Sequence, residues 1–261
     1  MRLVYTYILY HLLYSIMIGL KQYDTKFGKI CCLPNDIRFN DPLSHGKLYQ
    51  EDLFAEILPL FDKPKKYVMI DVGAHIGCHS IVYSKSVSNC EIIAFEPQSI
   101  LSDILHKNIR DNDISNCTIY NNAVGHMMMK TTLSKDISQH GYPRNVEYGI
   151  SSPFYYDAVA LGLSGENVNM VTIDCLQLQQ CDYIKMMVNG AELLVIVGAL
   201  HTIQKFHPVI LFEENGCNLS DDMVLSMNLR FYDTPRSVLT RLGYNITNIG
   251  HFICLAVYPG T

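Results

Sequence analysis

The chain has 261 residues, 49% of them hydrophobic and 17% charged. That suits one large domain or two small ones with a real core, and it excludes a disordered chain or a coiled coil. Twenty Lys and Arg stand against 25 Asp and Glu, a formal charge of −5; with no long basic run, no nucleic-acid partner is expected.

Leu3 to Leu20 contains no Asp, Glu, Lys or Arg and is flanked by Arg2 and Lys21. As a helix it spans about 27 Å, close to the hydrocarbon thickness of a bilayer. Its tyrosines (Tyr5, Tyr7, Tyr10 and Tyr14) belong at a membrane interface more than at its centre. An uncleaved signal-anchor, a helix packed on the domain and a loose extension all fit residues 3–20. No small-residue cleavage site follows clearly. The body is expected in the cytoplasm, with membrane attachment through residues 3–20 as the open alternative. Sequons at Asn116, Asn218 and Asn245 matter only if the body is lumenal. The nine cysteines include no Cys-x-x-Cys, so scattered buried thiols are expected and no metal site.

A polar stretch with turn signals follows, Pro34-Asn35-Asp36 and Asn40-Asp41-Pro42, and then Leu53 to Phe61 reads as a short amphipathic helix. Tyr67–Val72 (YVMIDV) is a continuous apolar run broken only by Asp71, the pattern of a strand buried on both faces. Gly77–Lys85 reads as a helix, Glu91–Glu96 as a strand, Ser99–Arg110 as a helix and Cys117–Asn121 as a third strand. This alternation implies right-handed crossovers and a parallel sheet. Residues 126–170, rich in Gly, Ser, Tyr and Asn, read as irregular connections with one or two strands. A long loop of this kind is often functional, here as a cover for a substrate. Tyr183–Val188 is a fourth strand, Glu192–Phe206 a helix, Val209–Phe212 a fifth strand, and Ser220–Leu242 is helical with a break at Pro235. Tyr244–Ile249 and His251–Val257 form an antiparallel hairpin. The expected fold is α/β, a seven-stranded and mostly parallel Rossmann-like sheet with a C-terminal antiparallel hairpin.

The loop Asp71-Val-Gly73-Ala74-His75-Ile-Gly77 joins a buried strand to a helix. Its glycines let the backbone pass close to a ligand, and the helix N-terminus favours an anion. Glu96 ends the next strand, about 20 residues on, where an acid can accept both hydroxyls of a ribose. The loop lacks the second glycine of Gly-x-Gly-x-x-Gly, which a pyrophosphate needs. Adenosine without a pyrophosphate therefore fits better than a nicotinamide dinucleotide, and S-adenosylmethionine is the common ligand of that kind. Glu213-Glu214, at the end of the fifth strand, are candidates for binding acceptor hydroxyls or a solvated loop end; Asp174 reads as structural.

The ordered series DVGAHIGCHS, AFEPQ, His106-Lys-Asn108-Ile, Asn122-Ala-Val-Gly125, VTIDCL (171–176) and DYIKMMVNGAE (182–192) resembles the FkbM-type methyltransferases. Phe27-Gly-Lys, LPND (33–36) and Gly46 to Asp52 look like that family's lead-in, so the likeness covers residues 27–257. It implies an S-adenosylmethionine-dependent methyltransferase domain over residues 23–261, beyond an N-terminal segment 1–22. The implied reaction is O-methylation of a carbohydrate or other small hydroxylated acceptor. Carried over by position, Asp71, Gly73, Ala74 and Gly77 line the methionine end of the cofactor. Glu96 holds the ribose, Pro97 and Gln98 shape the wall beside it, and Asn122 faces the adenine. Lys185 and Glu192 match the family's fourth-strand motif and, with Asn189 and His75, are the catalytic candidates. The chain departs from the family in two places. His75 stands where the family usually has Asn, as a candidate base or a helix-start residue. Met187 and Asn189 replace the two acids of the family's Lys-Ile-Asp-Val-Glu-Gly-Ala-Glu, and neither can take a proton. The second reading is therefore a module of the same fold that holds S-adenosylmethionine, or a related nucleoside, without turnover.

Overall fold

The strand Tyr67–Val72 (β3) is buried along its whole length, and its alternating side chains divide the core. Tyr67 and Met69 join one apolar cluster, while Val68, Ile70 and Val72 join another on the opposite face. The computed structural model describes residues 19–134, 160–162, 166–214 and 233–260. Most of the apolar segment 3–20 lies outside the described residues. So do Asn218 and the part of the expected Ser220–Leu242 helical stretch before residue 233.

Around β3 the sheet adds Cys90–Phe95 (β4), Cys117–Tyr120 (β5), Tyr183–Met186 (β10), Val209–Glu213 (β11), Asn245–Gly250 (β12) and Ile253–Val257 (β13). The order is β12-β13-β11-β10-β3-β4-β5. The pairs β3–β4, β4–β5, β3–β10 and β10–β11 are parallel, while β13 is antiparallel to both its neighbours. This is the expected seven-stranded, mostly parallel Rossmann-like sheet with its C-terminal hairpin. The order reverses between β3 and β10, and an open α/β sheet binds ligands at the carboxyl ends of the strands beside such a switch.

Helices Cys78–Ser86 and Ser99–Asp111 (α3, α4) pack on one face. Leu101, Ile104, Leu105, Asn108 and Ile109 make the buried stripe of α4. Cys78 to Tyr83 are all buried, because α3 has the sheet on one side and the lead-in on the other. That lead-in contains a hairpin, Lys21–Thr25 with Gly28–Cys32 (β1, β2), and helices Ile37–Ser44 and Leu53–Ile57 (α1, α2). Phe54 of α2 lies 4.9 Å from His79 and 6.0 Å from Tyr83, ring to ring. Asn108 fastens the hairpin to the body: its Oδ1 accepts the Cys31 N–H (2.7 Å), and its Nδ2 donates to the carbonyls of Cys31 (2.9 Å) and Ile76 (2.8 Å).

The other face carries Glu192–Val197, Leu200–Phe206 and Pro235–Arg241 (α5, α6, α7). The sequence predicts one helix over 192–206; the structure breaks it between α5 and α6. A side chain on Gly198 would sit 1.9 Å from the Gly125 carbonyl oxygen, so the helix is interrupted where two backbones touch. Asp174 caps the second piece, accepting from the N–H groups of His201 (3.0 Å) and Thr202 (2.8 Å). Most of the stretch 126–170, and with it the expected cover for a substrate, lies outside the described residues; its described parts are more regular than expected. Met129–Ser134, Ala160–Gly162 and Glu166–Val171 (β7, β8, β9) form a second sheet with Ala123–Val124 (β6), in the order β6-β9-β7-β8. Among the described residues, no helix is long and apolar enough to cross a membrane. The cysteines among them are free.

Candidate active site

A cavity opens at the carboxyl ends of β3, β4 and β10. It encloses about 1030 Å³ of empty space when its open mouth is included. Of the residues predicted for a site, Gly73, Ala74, His75, Glu96, Pro97 and Asn122 line it, as do Lys185 and Asn189. Asp71, Gly77 and Glu192 are absent from its lining and act from behind the wall.

Asp71 is fully enclosed at the end of β3. Lys185, its registered neighbour on β10, lies 3.0 Å away, and the Ser80 hydroxyl donates to it at 2.6 Å. Burial pushes this carboxyl up, but the Lys185 charge and the Ser80 hydrogen bond hold it below the usual Asp range. The Lys185 ammonium also donates to the carbonyls of Gly73 (2.6 Å) and Val72 (3.3 Å). Asp71 and Lys185 therefore pin the start of the loop from beneath.

The loop conformation depends on its glycines. Gly73 has φ +70°, and a side chain there would meet the Met187 carbonyl oxygen at 2.4 Å. Gly77 has φ +92°, and a side chain there would strike Leu105 at 2.4 Å. His75 is also left-handed, with φ +54°, a conformation uncommon outside glycine. It turns its N–H onto Glu96 Oε2 at 2.8 Å. The Gln98 N–H donates to Glu96 Oε1 at 2.9 Å. Each carboxylate oxygen thus holds one backbone N–H and keeps a second acceptor position. Glu96 is 3% exposed. Burial outweighs its two backbone hydrogen bonds and pushes its pKa up to about 7.

The His75 ring stacks on Phe39 of α1 at 4.2 Å, with Nε2 3.5 Å from Asp36 Oδ2. Burial, and then the nearby charges of Lys185 and Arg38, lower its pKa to about 3, so the imidazole is neutral near pH 7. On the β10 side, Asn189 (φ +53°) and Gly190 (φ +91°) make two successive left-handed steps. Glu192 anchors this turn by accepting the Val188 N–H at 2.8 Å. Burial, and then the charge of Glu213, push Glu192 up to about 8. Glu213 reaches the cavity wall. Glu214 instead pairs with Arg236 at 2.8 Å.

Sequence reasoning missed Arg38, Phe39, Tyr49 and Gln50, which come from the lead-in and line the cavity. Gln50 has φ +57°, and its buried Oε1 has no hydrogen-bond partner among the described residues. Nothing local marks these four residues, because only the packing of the lead-in over α3 brings them to the strand ends.

A family model described as the methyltransferase FkbM domain matches residues 71–246. No curated protein sequence matches the chain. A solved FkbM methyltransferase from Methylobacillus flagellatus KT is 20% identical with a TM-score of 0.48; the alignment covers 74% of this chain and 44% of that one. This chain thus corresponds to less than half the length of that protein. A precorrin-6y C5,15-methyltransferase from Geobacter metallireducens GS-15 is 14% identical with a TM-score of 0.44, over 80% of this chain and 88% of that one. A SAM-dependent methyltransferase from Aquifex aeolicus is 10% identical with a TM-score of 0.39, over 86% and 92%. The family match begins at Asp71, takes in the glycine loop, Glu96 and the Lys185–Glu192 segment, and runs over more than half of the sequence: the chain belongs to the FkbM methyltransferase family.

Proposed function

We propose that this chain transfers a methyl group from S-adenosylmethionine to a hydroxyl of a small acceptor, a sugar or a similarly hydroxylated metabolite. The observation that carries the reading is Glu96. Its two oxygens are fixed by backbone N–H groups, each keeps an acceptor position, and the residue lines a cavity at the strand ends. A pair of neighbouring ribose hydroxyls supplies the two missing donors, so the residues present fit a nucleoside. Gly73 and Ala74 would lie along the methionine end, and Pro97 and Asn122 beside the base. When bound, S-adenosylmethionine supplies an electrophilic methyl group on a sulfonium.

The chain's own part is positioning and electrostatics, which suit an in-line displacement. Asp71 and Lys185 hold the loop. Gly77 lets α3 start beneath it. Glu192 holds the turn that presents Asn189, whose amide can orient an acceptor hydroxyl but cannot take its proton. His75, kept neutral, can hydrogen-bond a hydroxyl and is a weak base. Among the carboxylates of the wall, Glu213 is placed to receive a proton. No nucleic-acid partner is part of this reading.

Met187 and Asn189, in place of two acids, favour a second reading: a module that binds the nucleoside without turnover. Titration calorimetry of the full chain with S-adenosylmethionine, followed by transfer from methyl-labelled cofactor to an acceptor panel, separates the two. Micromolar binding abolished by Glu96→Ala, with label transferred, supports the enzyme. Binding without transfer supports the module. No binding by the folded chain refutes both.

A further inference from the structure

We propose that the lead-in, residues 36–50, is the acceptor-recognition element of this protein, and that Gln50 is the residue in it that reads an acceptor hydroxyl. This rests on the reading of the cavity as a methyl-transfer site and names the part of it that the family match does not reach. Arg38, Phe39, Tyr49 and Gln50 all precede residue 71, where that match begins.

The wall they form is built before any ligand arrives. Asn40 of α1 donates to the carbonyls of Leu33 and Asp36, both at 2.7 Å, and accepts the Tyr23 hydroxyl at 2.8 Å. Glu51 accepts the Leu48 N–H at 2.9 Å and pairs with Lys26 at 2.7 Å. Phe39 lies between His75 and Tyr49, 4.2 Å and 5.2 Å away ring to ring. The lead-in is thus packed onto the cofactor loop through the His75 ring, and a ligand that touches one has the other within reach.

Gln50 stands out in this wall. It adopts the left-handed conformation, uncommon for a residue with a side chain. Among the described residues its amide nitrogen reaches only the Tyr49 hydroxyl, at 3.4 Å, and its amide oxygen is buried without a partner. A buried amide end left unpaired costs roughly 1–3 kcal/mol, and strain of this kind concentrates at ligand sites. Whichever way the amide is turned, one end lacks a partner; a hydroxyl, both donor and acceptor, complements either orientation. The flanking Phe39 and Tyr49 offer apolar wall to a carbon skeleton. The ligand chemistry these groups fit is a neutral polyol or sugar ring.

The test uses the full chain, methyl-labelled S-adenosylmethionine, and the methyl glycosides of glucose, galactose, mannose and rhamnose as acceptors. Gln50→Gly removes the amide and relieves the left-handed backbone, so folding is preserved. Gln50→Glu retains the length and replaces the amide with an acceptor-only carboxylate. The expected result for Gln50→Gly is a KM for the methylated glycoside raised about tenfold, as for loss of one neutral hydrogen bond. The affinity for S-adenosylmethionine, read by calorimetry, stays within twofold. A glycoside KM unchanged in both variants overturns the role of Gln50. Cofactor binding with transfer to another hydroxylated acceptor but to no glycoside overturns the acceptor class; cofactor binding with no transfer to any acceptor favours the module and removes this inference. Absence of cofactor binding refutes the methyl-transfer reading itself, and with it this inference.

Discussion

If Glu96 holds the ribose as proposed, nucleoside binding should depend on pH in a window that few other groups share. Its carboxyl titrates at about 7 in the free protein, raised by burial. A ribose diol donating two hydrogen bonds requires the ionised form, so the apparent Kd rises as the carboxyl becomes protonated. With a pKa near 7, the ionised fraction falls about tenfold between pH 8 and pH 6, equivalent to about 1.4 kcal/mol of binding energy. The probe is 5′-methylthioadenosine, which has the ribose and base but no amino-acid end to titrate. Other groups near this carboxyl do not produce the same slope. Asp71 is held below the usual range and His75 at about 3. Glu192 titrates higher, at about 8, and lies outside the cavity lining.

The paired perturbation is Glu96→Gln. Its amide keeps one acceptor and turns an N–H₂ toward either the His75 or the Gln98 N–H, both of which donate to this side chain in the wild type. Binding at pH 8 should weaken by about tenfold or more, and the slope between pH 6 and pH 8 should vanish. Calorimetry across that range, with circular dichroism to confirm folding, gives both quantities. A wild-type Kd that is flat from pH 6 to pH 8, together with a variant that binds as well as the wild type, would remove Glu96 from the ribose site.

Gly73→Ala places a methyl group 2.4 Å from the Met187 carbonyl oxygen in a backbone with φ +70°. It should cost at least ~1 kcal/mol in urea unfolding and weaken cofactor binding, because the loops after β3 and β10 must separate. Stability should fall as pH rises through about 7 and 8. Glu96 and Glu192 bind their protons more tightly folded than unfolded, so the stability they add at low pH is lost on ionisation. Thermal melts from pH 5.5 to pH 9 should show that loss, and Glu192→Gln should reduce it. Asn108→Leu leaves the Cys31 N–H and the carbonyls of Cys31 and Ile76 without their partner, at a cost of about 3 kcal/mol. Amide exchange at Cys31 should then accelerate more than exchange in β3.

What the sequence discloses and what it conceals divide along a physical line. YVMIDV and EIIAFE are legible because a strand buried on both faces must be apolar throughout, whatever its partners. The ends of those strands hold Asp71 and Glu96, and a parallel sheet brings such ends together wherever its order reverses. This is why the part of the cavity proposed for the cofactor follows from local pattern. The hairpin Lys21–Cys32 has no comparable signal. Its inner strand is fixed by Asn108, 77 positions away, a residue that in sequence is only one more position on an amphipathic helix. The break at Gly198 is equally silent, since it exists only because Gly125 passes against it. Gln50 is the extreme case: a polar residue after a tyrosine, ordinary in a loop, whose left-handed backbone and buried amide oxygen, unpaired among the described residues, no local pattern announces. On the proposed reading, cofactor recognition, built on strand ends, is therefore readable from local pattern. Acceptor recognition, which on the same reading depends on how a separate segment packs over α3, is not, and two chains with the same strand-end motifs can then differ in acceptor without any change in those motifs.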